Sequence, residues 1–280
     1  MDSLEKHRGG SVRAAVREKF IQAVRDEVAE KKLSVPKAFA EEWFLKLNIE
    51  PVFAKQKTAE FADMRHKLNT ESGILIANHP GGAESLILAG MVERTDVKIL
   101  IEDPTLASQV SKIFGQDYAL TVPKFTEDPE NRQNRGIELM RMVQDIQDHI
   151  RKGGLVVFYP TAGREEAEPF MFENLFGLLI QRVLKHEDMV YACWINEDDV
   201  GSVANERISR GKGAFSDTMF PPVNINALKS KKLIRVDERY SKASEWQHLV
   251  QNVASRDERS TILTTHFLDA FEQKDIPESA

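Results

Sequence analysis

Apolar residues in this chain follow two rhythms, and the change between them comes near residue 73. Before it, helical spacing dominates. Val12, Ala15, Val16, Phe20, Val24 and Val28 recur at helical steps behind Ser11, a residue type suited to capping a helix. Pro36 is well placed as the first residue of a second helix reaching Leu47, and after a break at 48–51 a third helical stretch runs to about Leu68. Residues 1–70 are therefore expected to form a small helical subdomain, and residues 71–280 the main domain. Beyond residue 73, apolar runs of strand length occur at 74–77, 97–101, 119–122, 155–159, 190–195 and 233–236, with helical patterns between most of them. The clearest helix is 135–151, with Ile137, Met140, Val143 and Ile150 on one side and Gly153-Gly154 as its stop. Two amphipathic stretches, 244–253 and 261–272, close the chain. Strands alternating with helices predict an α/β fold, a mostly parallel mixed sheet flanked by helices.

Composition narrows the classes of function. Hydrophobic residues at 41% and charged residues at 29% are those of an ordinary globular protein. A net charge of −6 argues against nucleic acid as a partner. The total hides an asymmetry: residues 207–235 hold seven Lys/Arg and one acid, a local +6, so the remainder carries −12. Scattered solvated lysines would explain this; a patch meeting phosphates, anionic lipid or an acidic protein would use it. Cys193 is the only cysteine, which excludes an internal disulfide and points to a reducing compartment. Its place in an apolar run marks it as an inert buried thiol. The first ten residues lack the apolar core of a signal peptide, and no run approaches the roughly 20 residues that span a bilayer. A cytoplasmic protein, at most peripheral to a membrane, is expected.

The chemistry concentrates in residues 73–90, GILIANHPGGAESLILAG. An apolar strand delivers Asn78 and His79 to its end, Pro80-Gly81-Gly82 breaks the chain, and Glu84 opens a second apolar run. On one continuous helix His79 and Glu84 would point about 140° apart, so they meet only if the chain turns between them. Pro-Gly-Gly makes that turn easy. A carboxylate on one imidazole nitrogen leaves the other as an oriented general base. A second stretch, Leu155 to Arg164, again ends a buried-type strand in a Pro/Gly turn. There Arg164 could clamp a phosphate or carboxylate, and backbone N–H groups from Thr161 to Gly163 could add an anion nest. Neither a G-x-S-x-G serine nor a glycine-rich nucleotide loop occurs, and no histidine spacing suits a metal. A bound cofactor is not expected.

Together the two stretches resemble a family. Asn78-His79-Pro80-Gly81-Gly82-Ala83-Glu84 is similar to the NHxxxxD box of the glycerophospholipid acyltransferase superfamily. Tyr159-Pro160-Thr161-Ala162-Gly163-Arg164 follows about 80 residues later, where that superfamily carries its second substrate motif. Its form is closer to the soluble plastid-type glycerol-3-phosphate acyltransferases, as is Asn131-Arg132-Gln133-Asn134-Arg135-Gly136 between the two. The resemblance covers roughly residues 70–170. It implies acyl transfer from a thioester, of acyl carrier protein or coenzyme A, to the hydroxyl of a phosphorylated glycerol-like acceptor. His79 would be the base, Glu84 would hold its tautomer, and Arg164 would match the family's phosphate-binding arginine. Lys124 lies near the family's basic Lys/His group.

Three departures stand out. Glu84 replaces the usual Asp. Glu166 stands where the family has a second arginine, with Glu165 beside it. Phe125, next after Lys124, is not the family's histidine. Two acids beside a phosphate clamp weaken it, and Arg132 and Arg135 are the residues that could substitute. The same residues allow two alternatives: a thioesterase in which His79 activates water, and a non-catalytic binder of lipid or carrier protein.

Overall fold

The computed structural model describes Asp26, Glu30 and residues 35–53, 58–78, 84–101, 104–114, 118–123, 129–159, 171–196, 198–200 and 231–272. The helix expected behind Ser11 lies outside these residues, apart from Asp26 and Glu30, which are helical and exposed. In chain order come α1 (Val35–Leu47), β1 (Ile49–Phe53), α2 (Ala59–Thr70), β2 (Gly73–Ala77), α3 (Glu84–Met91), β3 (Val97–Ile101), α4 (Pro104–Phe114) and β4 (Ala119–Thr121). Next are α5 (Pro129–Arg151), β5 (Leu155–Phe158), α6 (Met171–Leu178) with a π-helical turn (Leu179–Val183), β6 (Met189–Ile195), β7 (Lys232–Lys242), α7 (Ala243–Val250) and α8 (Arg256–Glu272).

Among the described residues, seven strands form one sheet in the order β1-β7-β6-β2-β5-β3-β4. From β6 to β4 every neighbour is parallel, and β1 is parallel to β7. The pairing of β7 with β6 runs the other way. Asn196 N–H donates to Arg235 O at 3.0 Å and Ala243 N–H donates to Asp188 O at 2.8 Å, so residue numbers fall on one strand as they rise on its neighbour. The sheet is therefore mixed and mostly parallel, as the alternating pattern predicts. The predicted strands all appear within a residue or two, with one exception. β7 extends six residues past Val236, through Asp237, Glu238 and Arg239. These charges stop an apolar-run reading, yet the strand still alternates, burying Ile234, Val236 and Glu238 on one face.

β1 is a strand where the pattern predicts only a break. Asn48, with φ of 58°, ends α1 in the left-handed region that asparagine tolerates. Pro51 then sits in an edge strand, where a missing N–H costs little.

The chain divides into two compact units. The first comprises Met1–Ala54, Pro80–Thr95 and Ile195–Val236. Within it α1 packs on α3, with Phe44 and Ala40 against Gly90 and an ion pair between Lys37 and Glu93. Of the basic segment 207–235, only residues 231–235 are described, and two of its charges are spent on acids. Lys231 pairs with Glu50, and Arg235 grips Asp199 through two bonds of 2.9 and 3.1 Å. The second unit comprises Lys55–His79, Asp96–Trp194 and Asp237–Ala280. It contains the parallel block of strands and a core centred on Ile74, Ile76, Phe158, Phe176, Trp246 and Phe267. Phe176 lies between Phe158 and Trp246, 5.8 Å from each ring, tilted against the first and edge-on to the second, tying the sheet to its helical layer.

Candidate functional site

β2 is the strand on which the site depends. Its five residues, Gly-Ile-Leu-Ile-Ala, are all buried, as expected of a strand covered on both faces. Gly73 opens it at a point of close backbone approach. A Cβ there would stand 2.0 Å from the carbonyl oxygen of Met189 on β6, so only glycine lets the two strands pair. β2 ends in Asn78, which is 2% exposed, immediately before His79.

The partners of β2 decide what lies beside that end. On one side β6 pairs in the register Ala77↔Cys193; on the other, β5 pairs as Ile76↔Phe158. Asn78 and the buried Tyr159 therefore leave the sheet at the carboxyl ends of adjacent parallel strands, about 4.8 Å apart. Each is the last described residue at the start of one of the two motifs. In open parallel sheets this edge is where ligands bind, because loops diverge there and leave a crevice. β4, which precedes Lys124, presents its carboxyl end on the same edge, three strand positions from β2 and about 14 Å away by strand spacing.

Of the residues singled out from sequence, His79, Lys124, Thr161, Gly163 and Arg164 lie outside the described residues. Glu84 is the first residue of α3, in the first unit. Arg132 and Arg135 fall in the first two turns of α5, which follows β4 in the chain. The structure thus brings together the strands that lead into both motifs.

Three features escape a reading of the sequence. On α2 and β7, Arg65 stands 3.1 Å from Glu238, and both are largely buried. Burial drives the Glu238 carboxyl up to about 7, with Asp237 adding to the rise and Arg65 opposing it. Among the described residues, neither Glu238 oxygen accepts a hydrogen bond. The only signal for this residue is its alternation within 232–242. At the amino edge, the buried Asp188 accepts from Ser72 Oγ–H and Lys185 N–H, each at 2.7 Å, fixing the turn that starts β6 beside β2. His149, near the end of α5, donates its Nε2–H to Asp96 O at 3.1 Å and Leu155 O at 3.2 Å, and burial lowers its pKa. It folds over Gly154, where any Cβ would collide with its ring. That contact gives the Gly153-Gly154 stop a tertiary reason.

Cys193 is fully buried on β6, and burial raises its thiol well above the usual range, which suits an inert core residue. Among the described residues no cluster of three or more His, Cys, Asp or Glu could hold a metal ion. Among them too, no helix is long and apolar enough to cross a membrane.

No family model matches the chain, and no curated protein does. Among solved structures, it is similar to the 1-acyl-sn-glycerophosphate (LPA) acyltransferase PlsC from Thermotoga maritima. The TM-score is 0.37 at 10% identity, over 98% of this chain and 85% of that one. A likeness that weak carries no functional inference, so a functional reading has to rest on the chain's own residues.

Proposed function

We propose that this chain is an acyltransferase that moves a fatty acyl group from a thioester to the hydroxyl of a phosphorylated glycerol-like acceptor. One observation carries the reading: β2 and β5 are adjacent and parallel, so both motifs, about 80 residues apart in sequence, begin at the same edge of the sheet. A base on one strand end and an anion clamp on the next are what an acceptor with a hydroxyl and a phosphate requires.

In the proposed reaction His79 takes the acceptor hydroxyl's proton as that oxygen attacks the thioester carbonyl. The tetrahedral intermediate collapses, the carbon–sulfur bond breaks, and the thiolate leaves with the proton held on His79. Glu84 orients the imidazole and stabilises the imidazolium. Arg164 holds the acceptor phosphate with the backbone of Thr161 and Gly163, while Lys124, Arg132 and Arg135 add positive charge against Glu165 and Glu166. The mechanism passes through no acyl-enzyme, in keeping with the missing nucleophile-elbow serine and the buried Cys193. The donor is acyl carrier protein or coenzyme A thioester, no bound cofactor is required, and the reaction belongs to a cytoplasmic or membrane-peripheral protein.

Purified chain given an acyl thioester and candidate acceptors should release free thiol and form an ester. His79→Ala and Glu84→Ala should slow turnover, the first by about 10² to 10⁴-fold. Turnover by both variants at the wild-type rate would discard the assignment. Release of free fatty acid with no ester, in the presence of acceptor, would identify a thioesterase. An absence of any acyl release would leave a lipid or carrier-protein binder.

A further inference from the structure

A groove of about 390 Å³ lies in the helical layer of the second unit, between α5, the π-helical turn after α6, and the start of α8. Its volume is in the range of small-molecule sites. One wall is apolar, made by Leu139 and Met140 of α5 and Leu178 of α6. Met140 is 59% exposed, and Ile137, one turn earlier, is 46% exposed, so the groove opens into the largest exposed apolar side chains of α5. Gly136 keeps one end clear, since no described atom lies within 4 Å of where its Cβ would be.

The other wall is cationic. Arg182, Arg256 and Arg259 line it, and among the described residues no acid does. Arg182 and Arg256 are exposed, while Arg259 is half-buried. The Arg259 guanidinium donates to Gln181 Oε1 at 2.7 Å, to Ala254 O at 3.3 Å and to Val253 O. All three acceptors are neutral, so these bonds position the charge without cancelling it. Asp257 and Glu258 share that helical turn but are exposed and do not line the groove. The π-helical turn is itself held in shape. Gln247 Nε2–H donates to Ile180 O at 2.8 Å and Leu184 O at 3.0 Å, satisfying carbonyls that a widened turn leaves over. That turn carries Gln181 and Arg182 into the groove.

We propose that this groove binds an anionic single-chain amphiphile, its phosphate or carboxylate head on Arg182, Arg256 and Arg259 and its alkyl chain along Leu139, Met140 and Leu178. Charge complementarity selects the head, and the concave apolar wall selects one chain over a flat lipid surface. The groove is lined by helices and not by strand ends, so it stands whether or not His79 performs acyl transfer.

The test is calorimetry of the full chain with dodecyl phosphate below its micelle-forming concentration. It is run in an Arg164→Gln background, so that a phosphate held at the proposed acceptor site does not contribute. Saturable one-to-one binding is expected. The Arg182→Gln/Arg256→Gln pair should weaken it at least about tenfold, and so should Met140→Asp, all at exposed positions where an unchanged unfolding midpoint verifies folding. Inorganic phosphate and dodecyl maltoside should each bind at least about a hundredfold more weakly, because each offers one half of the recognition. Equal affinity in the groove variants, inorganic phosphate competing as well as dodecyl phosphate, or binding only to anionic vesicles would each overturn the proposal.

Discussion

β2 and β7 belong to the same sheet but are built on opposite plans. β2 is five apolar residues, buried throughout, and its backbone lies so close to β6 that its first residue must be glycine. β7 is eleven residues long, alternates in and out, and places Glu238 among buried side chains opposite Arg65. Apolar burial stabilises at any pH, and none of the five residues of the strand that delivers Asn78 and His79 titrates. A buried carboxyl couples its strand to pH, and here the carboxyl sits on β7, with β6 between it and β2. The difference separates two jobs: rigid placement of the proposed chemistry by β2, and attachment of α2 by β7.

The largest expected effect sharpens the β2 side. Gly73→Ala puts a methyl group 2.0 Å from the Met189 carbonyl oxygen, which only a parting of β2 and β6 relieves. Denaturant unfolding should show a loss of at least about 4 kcal/mol. A variant within about 1 kcal/mol of wild type would mean that β2 and β6 do not pair in this register.

On the β7 side, Glu238 is raised from 4.5 to about 7 in the folded chain. Between those values the folded state holds a proton that the unfolded state has lost. Stability is therefore greatest below pH 4.5 as far as this group is concerned, and falls as pH rises through 7. The full loss is up to about 3 kcal/mol. Glu238→Gln should flatten the stability profile between pH 5 and 8 and be the more stable protein at pH 8. Parallel profiles for the two proteins would show that Glu238 is ordinary in its titration.

The smallest effect concerns Cys193, the neighbour of Ala77 across the β2–β6 pairing. Buried and with its thiol raised, it should react with a disulfide reagent only as fast as the chain opens. Native protein should label at least about a hundredfold more slowly than unfolded protein. Comparable rates would place the thiol at the surface and remove the buried backing of β2.

The same two strands show how far the fold was legible. Runs such as Ile74 to Ala77 and Leu155 to Phe158 declare themselves, because a strand covered on both faces has no polar positions to hide it. β1 was hidden by Pro51, which reads as a breaker until its edge position is known. The second half of β7 was hidden by Asp237, Glu238 and Arg239; Glu238 faces Arg65 of α2, 173 residues earlier in sequence, and Arg239 lies over Phe271 of α8. The π-helical turn, set by Gln247, has no local pattern. Candidate chemistry was more legible than its geometry: Asn78, His79, Glu84 and Arg164 stand out by residue type beside Pro and Gly.

By itself, the sequence determined where the buried strands lie, which residue types follow them, and that the sheet is mostly parallel. These properties come from local side chains, whose hydrophobicity and turn preference need no partner. Only the tertiary structure decided that β2 is neighbour to β5, so that two motifs about 80 residues apart share one edge. Backbone hydrogen bonds in a sheet are alike for every residue, so strand order is written in the packing of whole elements and not in any one stretch.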